Sequence, residues 1–300
     1  MSGAKCRAAP EQTVTCRLQP FRYLAPTTVE EAVAALEEEG GRATLFAGGT
    51  DLVPMMKLGV ASPKTIISLS AIPGLQYIRE EADGVHLGPL TTIAQLRRSA
   101  LLRERWPALF EAVRHFAAPQ VRNMATLGGN IGRRSPCANT PPPLIALSAV
   151  LTLVSSNGPR AISLEQYFDR HDTAAGELIL DIAIPYPPAQ SGSAFMELTR
   201  NSGDLAKVNC AASITSSGGV CSDARIVLGS VANWPIRALQ VEQALIGKGL
   251  DDAAIKDAAG RVVDEIAPIT DARSSAEYRR QVSPVLVSRT VRRAAKRAGA

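Results

Sequence analysis

Two short glycine-rich motifs constrain what this chain can fold into more than any other feature. The first glycine motif is residues 47–51 (AGGTD), and the second glycine motif is residues 125–131 (ATLGGNI). Glycine has no Cβ, so two in succession permit positive φ and leave backbone N–H groups accessible to a ligand. Two such loops, each ending in a short polar side chain, could together hold one diphosphate. Either motif taken alone favours an ordinary tight turn, and it is their occurrence together that favours the phosphate site.

The common phosphate-binding signatures are missing from the sequence. It contains no G-x-x-x-x-G-K-[ST] motif and no G-x-G-x-x-G that opens a helix after a strand. A P-loop or a Rossmann site is therefore disfavoured.

Length and composition indicate an ordinary soluble protein. A chain of 300 residues, 46% of them hydrophobic, predicts two or three domains. The N-terminus leads into no apolar segment of the secretory type. The longest nearly apolar run, Leu144 to Val154, is far shorter than the ~20 residues that span a membrane. We therefore expect a cytoplasmic protein without a membrane span.

Cysteine and histidine are too scattered to form a metal site that could be recognised from spacing. No C-x-x-C motif occurs, and no two histidines stand at helical spacing, so reduced thiols and no metal are predicted. The residues concerned are Cys6, Cys16, Cys137, Cys210, Cys221, His86, His115 and His171.

The net charge of +5 comes from the C-terminal end of the chain. From Arg279 onward the sequence has seven basic residues and no acidic one, and it lacks the interleaved aromatic residues that stack on bases. Nucleic-acid binding is therefore disfavoured. A helix that starts at Pro284 would place the last basic residues on one face, which is either simply solvated or docks an acidic partner surface. These residues are Arg289, Arg292, Arg293, Lys296 and Arg297.

Hydrophobic periodicity and capping signals predict the order of elements. Capping boxes are expected at Thr28 to Glu31 and at Thr92 to Gln95. The predicted helices are 29–39, 52–58, 101–116, 144–149, 238–245, 251–263 and 284–297. The predicted strands are 44–47, 65–69, 77–80, 85–87, 151–154, 177–184, 194–199, 206–214 and 225–229. The proline-rich residues 132–143 are expected to be irregular.

From about Leu18 to Arg297 the sequence resembles the flavin-binding medium subunit of the molybdenum hydroxylases, which include xanthine dehydrogenase and aerobic carbon monoxide dehydrogenase. Both glycine motifs resemble the family's flavin loops. Residues 135–142 (SPCANTPP) resemble its Ser-Pro-x-x-Asp-x-x-Pro run, and residues 275–280 (SAEYRR) resemble its Ala-Glu-Tyr-Arg-Arg helix start.

The resemblance implies an α+β fold with a two-subdomain FAD-binding domain of the vanillyl-alcohol-oxidase/PCMH type. A C-terminal α+β domain with a three-stranded antiparallel sheet and a helical bundle would follow. The expected boundaries are a disordered stretch at 1–17, FAD-binding subdomains at 18–75 and 76–190, and the C-terminal domain at 191–300.

The resemblance also implies cofactors, partners and site residues. FAD would bind this chain, while a large subunit would hold a molybdopterin cofactor and a small subunit would hold [2Fe-2S] clusters, in a dimer of heterotrimers. No catalytic acid–base residue is predicted. The expected FAD-binding residues are Ala47, Gly48, Gly49, Thr50, Asp51, Thr126, Gly128, Gly129, Asn130, Ser135, Asn139, Asp204 and Lys207.

Two features depart from the family pattern. Asn139 stands where the family carries Asp, so the side chain can still reach a ribose or ribityl hydroxyl but brings no charge. Arg133 and Arg134 beside the second glycine motif could pair with phosphate or with a partner subunit. The alternatives are a stand-alone oxidase of the vanillyl-alcohol type and a nucleotide-sugar reductase; the first needs its own substrate pocket, and the second is disfavoured by the residues 275–280.

Overall fold

The N-terminal part of the fold is a small parallel sheet flanked by helices. The computed structural model describes residues 18–169, 176–201 and 203–299. The sheet has the order β1-β3-β2, and both strand pairs are parallel. Its elements are β1 (Arg22–Leu24), α1 (Val29–Glu39), β2 (Ala43–Phe46), α2 (Leu52–Lys57) and β3 (Thr65–Ser68). The first glycine motif connects β2 to α2, so it lies at the carboxyl end of a strand.

Local sequence signals explain the ends of α1. The Thr28 side chain accepts a hydrogen bond from the Glu31 amide, as an N-cap does. The predicted capping box is only half formed, because the Glu31 carboxylate accepts from the amide and hydroxyl of Thr27 instead of the Thr28 amide. Gly40, with φ of +55°, ends the helix.

A five-stranded antiparallel sheet forms the middle of the molecule. Its strand order is β4-β5-β8-β6-β7. The strands are β4 (Ile78–Glu80), β5 (Gly84–Leu87), β6 (Val150–Ser155), β7 (Gly158–Ser163) and β8 (Leu178–Pro185). The helices are α3 (Ile93–Arg98), α4 (Ala100–Arg105), α5 (Pro107–Arg114), α6 (Pro119–Met124), α7 (Leu127–Gly132), α8 (Pro141–Ala146) and α9 (Leu164–Asp169). The predicted capping box at Thr92 and Gln95 is complete.

Two differences between the predicted and the observed helices of this region are explained by proline. The single helix predicted over 101–116 is two helices, because Pro107 cannot continue α4 and instead begins α5. The proline-rich stretch predicted to be irregular contains α8, which begins at Pro141 for the same reason. Strand β7 and helix α9 were not predicted.

The last third of the chain is an antiparallel sheet covered by helices. The three predicted strands are present as β9 (Ser191–Leu198), β10 (Val208–Ser217) and β11 (Val220–Gly229), and the two-residue β12 (Ile236–Arg237) extends the sheet. The helices are α10 (Leu239–Leu245), α11 (Asp252–Gly260) and α12 (Ala276–Arg297). Ser275 caps α12, so the prediction that this helix begins at Pro284 is wrong: Pro284 lies inside the helix.

The side chains on the two faces of the C-terminal sheet pack into two different hydrophobic cores, so this sheet connects the two halves of the molecule. Successive strand residues point to opposite faces. Ala194, Cys210 and Ile226 pack on one face in the core that includes α12. Phe195, Ala211 and Val227 pack on the other face, in the core built on the five-stranded sheet and α5. Among the described residues, no helix is both long and apolar enough to cross a membrane.

Candidate functional site

One large cavity is lined by strands of the first two sheets and by loops and α12 of the C-terminal third. Its volume is about 1090 Å³, above the range of roughly 300–1,000 Å³ typical of small-molecule pockets. The lining comes from both glycine motifs, from residues 135–139 and from the C-terminal third of the chain. All predicted FAD-binding residues line it except Asp204 and Lys207. Residues 78 positions apart in sequence, Gly48 and Thr126, thus belong to the same cavity.

The first glycine motif has the properties of an anion cradle. Gly49 adopts φ of +67°, and a Cβ there would lie 2.6 Å from the Phe46 ring. Within the described chain, the amides of Gly48, Gly49 and Thr50 donate no hydrogen bond to the protein. Successive amides without partners beside a cavity can bind the oxygens of a phosphate. These residues fit the diphosphate of a dinucleotide.

The second glycine motif has a different structure from the one predicted. Residues 127–132 form helix α7, and neither Gly128 nor Gly129 has positive φ. The amide of Gly128 donates to the Pro89 carbonyl, and that of Gly129 to the Thr126 hydroxyl. The prediction that both motifs offer free glycine amides is therefore wrong for the second motif, because the Thr126 hydroxyl that caps α7 accepts from Gly129 and the Pro89 carbonyl accepts from Gly128.

At Gly48 and Gly128, close packing against neighbouring residues explains the need for glycine better than contact with a ligand does. A Cβ on Gly48 would overlap the carbonyl oxygen of Met124, so the two motifs touch through their backbones. A Cβ on Gly128 would lie 2.7 Å from the Pro89 side chain. A Cβ on Gly129 would meet the Thr126 hydroxyl at 2.8 Å and otherwise only Ala47, at 3.8 Å.

The two arginines after the second motif have separate roles. Arg133 forms a short ion pair with Asp51, and both side chains are about half exposed, so the pair links the two motifs at the cavity. Arg134 donates to the carbonyls of Tyr167 and Phe168 and lies over both rings. Arg134 therefore anchors α9.

Residues 135–140, the wall segment, connect the cavity to the C-terminal sheet. Asn139 is 7% exposed, lines the cavity and donates from Nδ2 to Oε2 of Glu197 at 2.7 Å. Burial raises the pKa of Glu197 to about 7, against the opposing effect of the Asn139 hydrogen bond. Thr140 donates to Asn130 Oδ1 at 2.7 Å, which joins the wall segment to α7.

Asp204 and Lys207 lie beside the cavity without lining it. Asp204 pairs with Arg200 at 3.6 Å, and the Lys207 ammonium lies 5.4 Å from the centre of the Tyr278 ring. The intervening Leu205 lines the cavity and is 44% exposed. Their assignment to the site stays a prediction.

Arg279 is a cavity residue that sequence reasoning did not identify as such. Its side chain is 2% exposed and donates to the carbonyls of Lys207 and Ser230 and to Asp271 Oδ1, at 2.7 to 2.9 Å. Ser230 and Asp271 line the cavity as well. The only signal in the sequence was the resemblance of residues 275–280 to a family motif.

The basic C-terminal helix is more engaged with its own chain than expected. Arg297 and Arg293 bind Glu111 on α5, at 2.7 and 3.4 Å, and Arg292 binds Asp252 at 2.6 Å. Three of the five basic residues are therefore paired within the chain, although all five are exposed. Whether this face is simply solvated or docks an acidic partner surface stays a prediction.

One group of side chains could geometrically hold a metal ion. Glu81, Asp83 and His86 place their ligand atoms within 4.8 Å of one another on the hairpin of β4 and β5. None of them lines the cavity. Of the histidines considered in the sequence, His171 lies outside the described residues, as do Cys6 and Cys16.

Comparison with known proteins assigns the class of this fold and cavity. A family model described as the FAD binding domain in molybdopterin dehydrogenase matches residues 19–187. A second, described as the CO dehydrogenase flavoprotein C-terminal domain, matches residues 193–294. The chain therefore belongs to the FAD-binding medium subunits of the molybdenum hydroxylase family, and FAD is its cofactor.

Individual relatives match over nearly their whole length. The carbon monoxide dehydrogenase medium chain of Afipia carboxidovorans is 37% identical over 93% of this chain and 98% of its own. The glyceraldehyde dehydrogenase medium chain of Sulfolobus acidocaldarius is 33% identical over 92% and 98%. A solved carbon monoxide dehydrogenase from Hydrogenophaga pseudoflava, which lacks the Mo-pyranopterin moiety, superposes with a TM-score of 0.90 at 36% identity, covering 94% and 99%. This chain is thus a subunit of an oxidoreductase.

Proposed function

We propose that this chain is the electron-transfer subunit of a molybdenum-containing dehydrogenase. A large subunit with a molybdopterin cofactor oxidises the substrate, and the [2Fe-2S] clusters of a small subunit deliver the electrons to FAD on this chain. The flavin passes them on to an acceptor such as NAD⁺ or a quinone. The redox chemistry belongs to the flavin, and the protein binds it, excludes water and adjusts its electronic environment.

Within this proposal the cavity residues divide by chemistry. The free amides of the first glycine motif bind the diphosphate, and the Asp51–Arg133 ion pair links the two motifs beside it. Asn130, Ser135 and Asn139 offer hydrogen-bonding groups for the ribityl and ribose hydroxyls. The domain boundaries at about residues 75 and 190 and the dimer of heterotrimers are parts of the same proposal.

The observation that carries the proposal is the agreement over more than nine-tenths of the chain. Both the FAD-binding domain and the flavoprotein C-terminal domain match, and the cavity lies where these two parts meet. A stand-alone oxidase of the same FAD fold would need a substrate pocket of its own.

The test is to assay the isolated chain and the reassembled complex side by side. Alone, the chain should bind one FAD, which a chemical reductant bleaches but no hydroxylase substrate does. After the molybdopterin and iron–sulfur subunits are added, a substrate of the complex should bleach the flavin. Bleaching by substrate in the isolated chain would move the assignment to a stand-alone oxidase, and failure to bind FAD would refute the proposal.

A further inference from the structure

The wall segment is held against the C-terminal sheet by polar contacts. It carries Ser135, Cys137 and Asn139, which all line the cavity, so the sheet positions part of the cavity wall. The contacts are Ser230 N–H to Pro136 O at 2.8 Å, Asn209 Nδ2 to Ala138 O at 3.5 Å, and Asn139 Nδ2 to Glu197 Oε2 at 2.7 Å. Only the last of these contacts includes a group that can change its charge.

Glu197 lies at the junction of the two halves of the molecule. It is the cross-strand partner of Asn209, on the same face of the sheet as Phe195, which packs into the core of the FAD-binding part. Next to Glu197, the buried Oδ1 atom of Asn209 has no hydrogen-bond donor in the described chain. Hydrogen-bond acceptors therefore outnumber donors at this place. Burial raises the pKa of Glu197 to about 7, so near neutral pH the carboxyl group exists in both forms.

Charged groups on the elements that pack against β9 are engaged with other residues. On α5, which packs on the face of the sheet that carries Phe195 and Glu197, Glu111 accepts a hydrogen bond from the Phe195 amide and binds Arg293 and Arg297. On α12, Arg279 binds Asp271 and the carbonyl of Lys207, the residue before β10. Arg200, after β9, pairs with Asp204. Burial is therefore the dominant influence on the Glu197 carboxyl group, and the Asn139 amide is its hydrogen-bond partner.

The ionisation of Glu197 determines which end of the Asn139 amide it can bind. A carboxylate can only accept hydrogen bonds, so it selects the Nδ2 end of Asn139 and leaves Oδ1 as the group offered to a ligand. In the described chain, Oδ1 of Asn139 accepts no hydrogen bond, although the residue is almost fully buried. A protonated Glu197 can itself donate, and it no longer selects one orientation of the amide.

We propose that Glu197 is a positioning residue that, as a carboxylate, locks Asn139 with its carbonyl oxygen toward the cavity, where it accepts a hydrogen bond from a hydroxyl of the bound flavin dinucleotide. This inference rests on the proposed FAD site. The anionic partner also polarises the amide, since hydrogen bonds in a chain strengthen one another. The pair Glu197 and Asn139 thereby supplies an acceptor where the family pattern has a carboxylate.

The proposal predicts a pH-dependent affinity for FAD. A hydrogen bond of this kind contributes about 0.5–1.5 kcal/mol, which corresponds to a change of roughly 2- to 10-fold in dissociation constant. Binding to the full-length chain should therefore tighten by that factor between about pH 6 and pH 8, across the pKa of Glu197. The readout is the FAD dissociation constant from titration calorimetry or flavin fluorescence, which requires no turnover.

The decisive variants are E197Q and N139A, alone and combined. The glutamine that E197Q introduces can donate as well as accept, so this variant should bind FAD weakly at every pH with a flat profile. N139A removes the acceptor and should give the same flat profile, and the double variant should add nothing further. Retention of the parental pH profile in E197Q or in N139A would overturn the proposal, and so would a flat profile in the parent.

The outcomes separate this inference from the proposed function. If the parent chain binds no FAD, both fail. If it binds FAD and the variants keep its pH dependence, only the role of Glu197 fails. Should E197Q not fold by circular dichroism, N139A decides alone, because it breaks the same contact and leaves the sheet residue Glu197 unchanged.

Discussion

Replacing Gly48 with alanine should separate the two glycine motifs and weaken FAD binding. The Cβ of alanine would overlap the carbonyl oxygen of Met124 and lie 3.1 Å from the Cα of Ala125. Both contacts are to backbone atoms, which cannot rotate away as a side-chain end can. Since carbon and oxygen atoms normally approach no closer than about 3.2–3.5 Å, the motifs must move apart by roughly 1.5 Å.

The size of the effect follows from the cost of overpacking. Inserting one methyl group into a close-packed site typically costs about 1–3 kcal/mol. The free variant relieves this strain by spreading the motifs, and binding FAD across both of them restores the strain. The dissociation constant should therefore rise by roughly 5- to 150-fold, at 1.4 kcal/mol for each factor of ten.

The assay is FAD titration of G48A beside two other glycine variants. G41A is the matched control, because a Cβ there meets no atom within 4 Å and the residue does not line the cavity. G129A tests the reason for the effect: its new Cβ meets only a rotatable hydroxyl and a distant methyl, so it should lose far less affinity than G48A. An unchanged affinity in folded G48A would refute the reasoning, and equal losses in G48A and G129A would favour direct phosphate contact at both motifs.

Two further substitutions test contacts that join the C-terminal third to the rest of the fold. Glu111→Gln should lower the unfolding free energy by about 2 kcal/mol, seen as a lower thermal midpoint, since the carboxylate accepts from the Phe195 amide and from Arg297 at 2.8 and 2.7 Å. Arg279→Met should cost about 3 kcal/mol in denaturant titration, because it leaves the carbonyls of Lys207 and Ser230 without this donor and removes the closer of the two arginines paired with Asp271.

Each of these predictions has its own control. Glu104→Gln changes an exposed glutamate whose ion-pair partner is the adjacent Arg103, and it should leave the thermal midpoint unchanged. Arg280→Met changes the exposed neighbour of Arg279, whose contact is a 3.3 Å hydrogen bond to the Val263 carbonyl. A thermal midpoint of Glu111→Gln equal to that of Glu104→Gln, or equal denaturant midpoints for the two arginine variants, would contradict the corresponding prediction.

Local signals in the sequence were sufficient for most elements, while the family resemblance indicated part of the cavity lining. The caps at Thr28 and Thr92, the glycine after α1 and the alternation along β9, β10 and β11 act within a few residues, so they can be read without knowing the fold. The two glycine motifs and residues 135–139 were predicted together, and the cavity does bring them together.

The role of each residue in the cavity depended on tertiary contacts. Sequence reasoning assigned the same role to both glycine motifs. In the second motif, however, Thr126 caps a helix and accepts a hydrogen bond from the Gly129 amide, whereas the glycine amides of the first motif donate to no group in the described chain. Pro89 packs against Gly128, and Met124 packs against Gly48. Arg279 could have been another solvated cation of the basic tail; burial against two carbonyls makes it part of the wall.

The pairing of Asn139 with Glu197 shows why the sequence could predict local elements but not the role of each residue in the cavity. These residues are 58 positions apart, and nothing in the local pattern around either one indicates the other. Helix caps and strand alternation are set by hydrogen bonds and side-chain directions within one or two turns of chain, so sequence determines them. The proton affinity of a carboxyl group and the direction of an amide depend on burial and on partners brought in by the fold, so only the tertiary structure decides them.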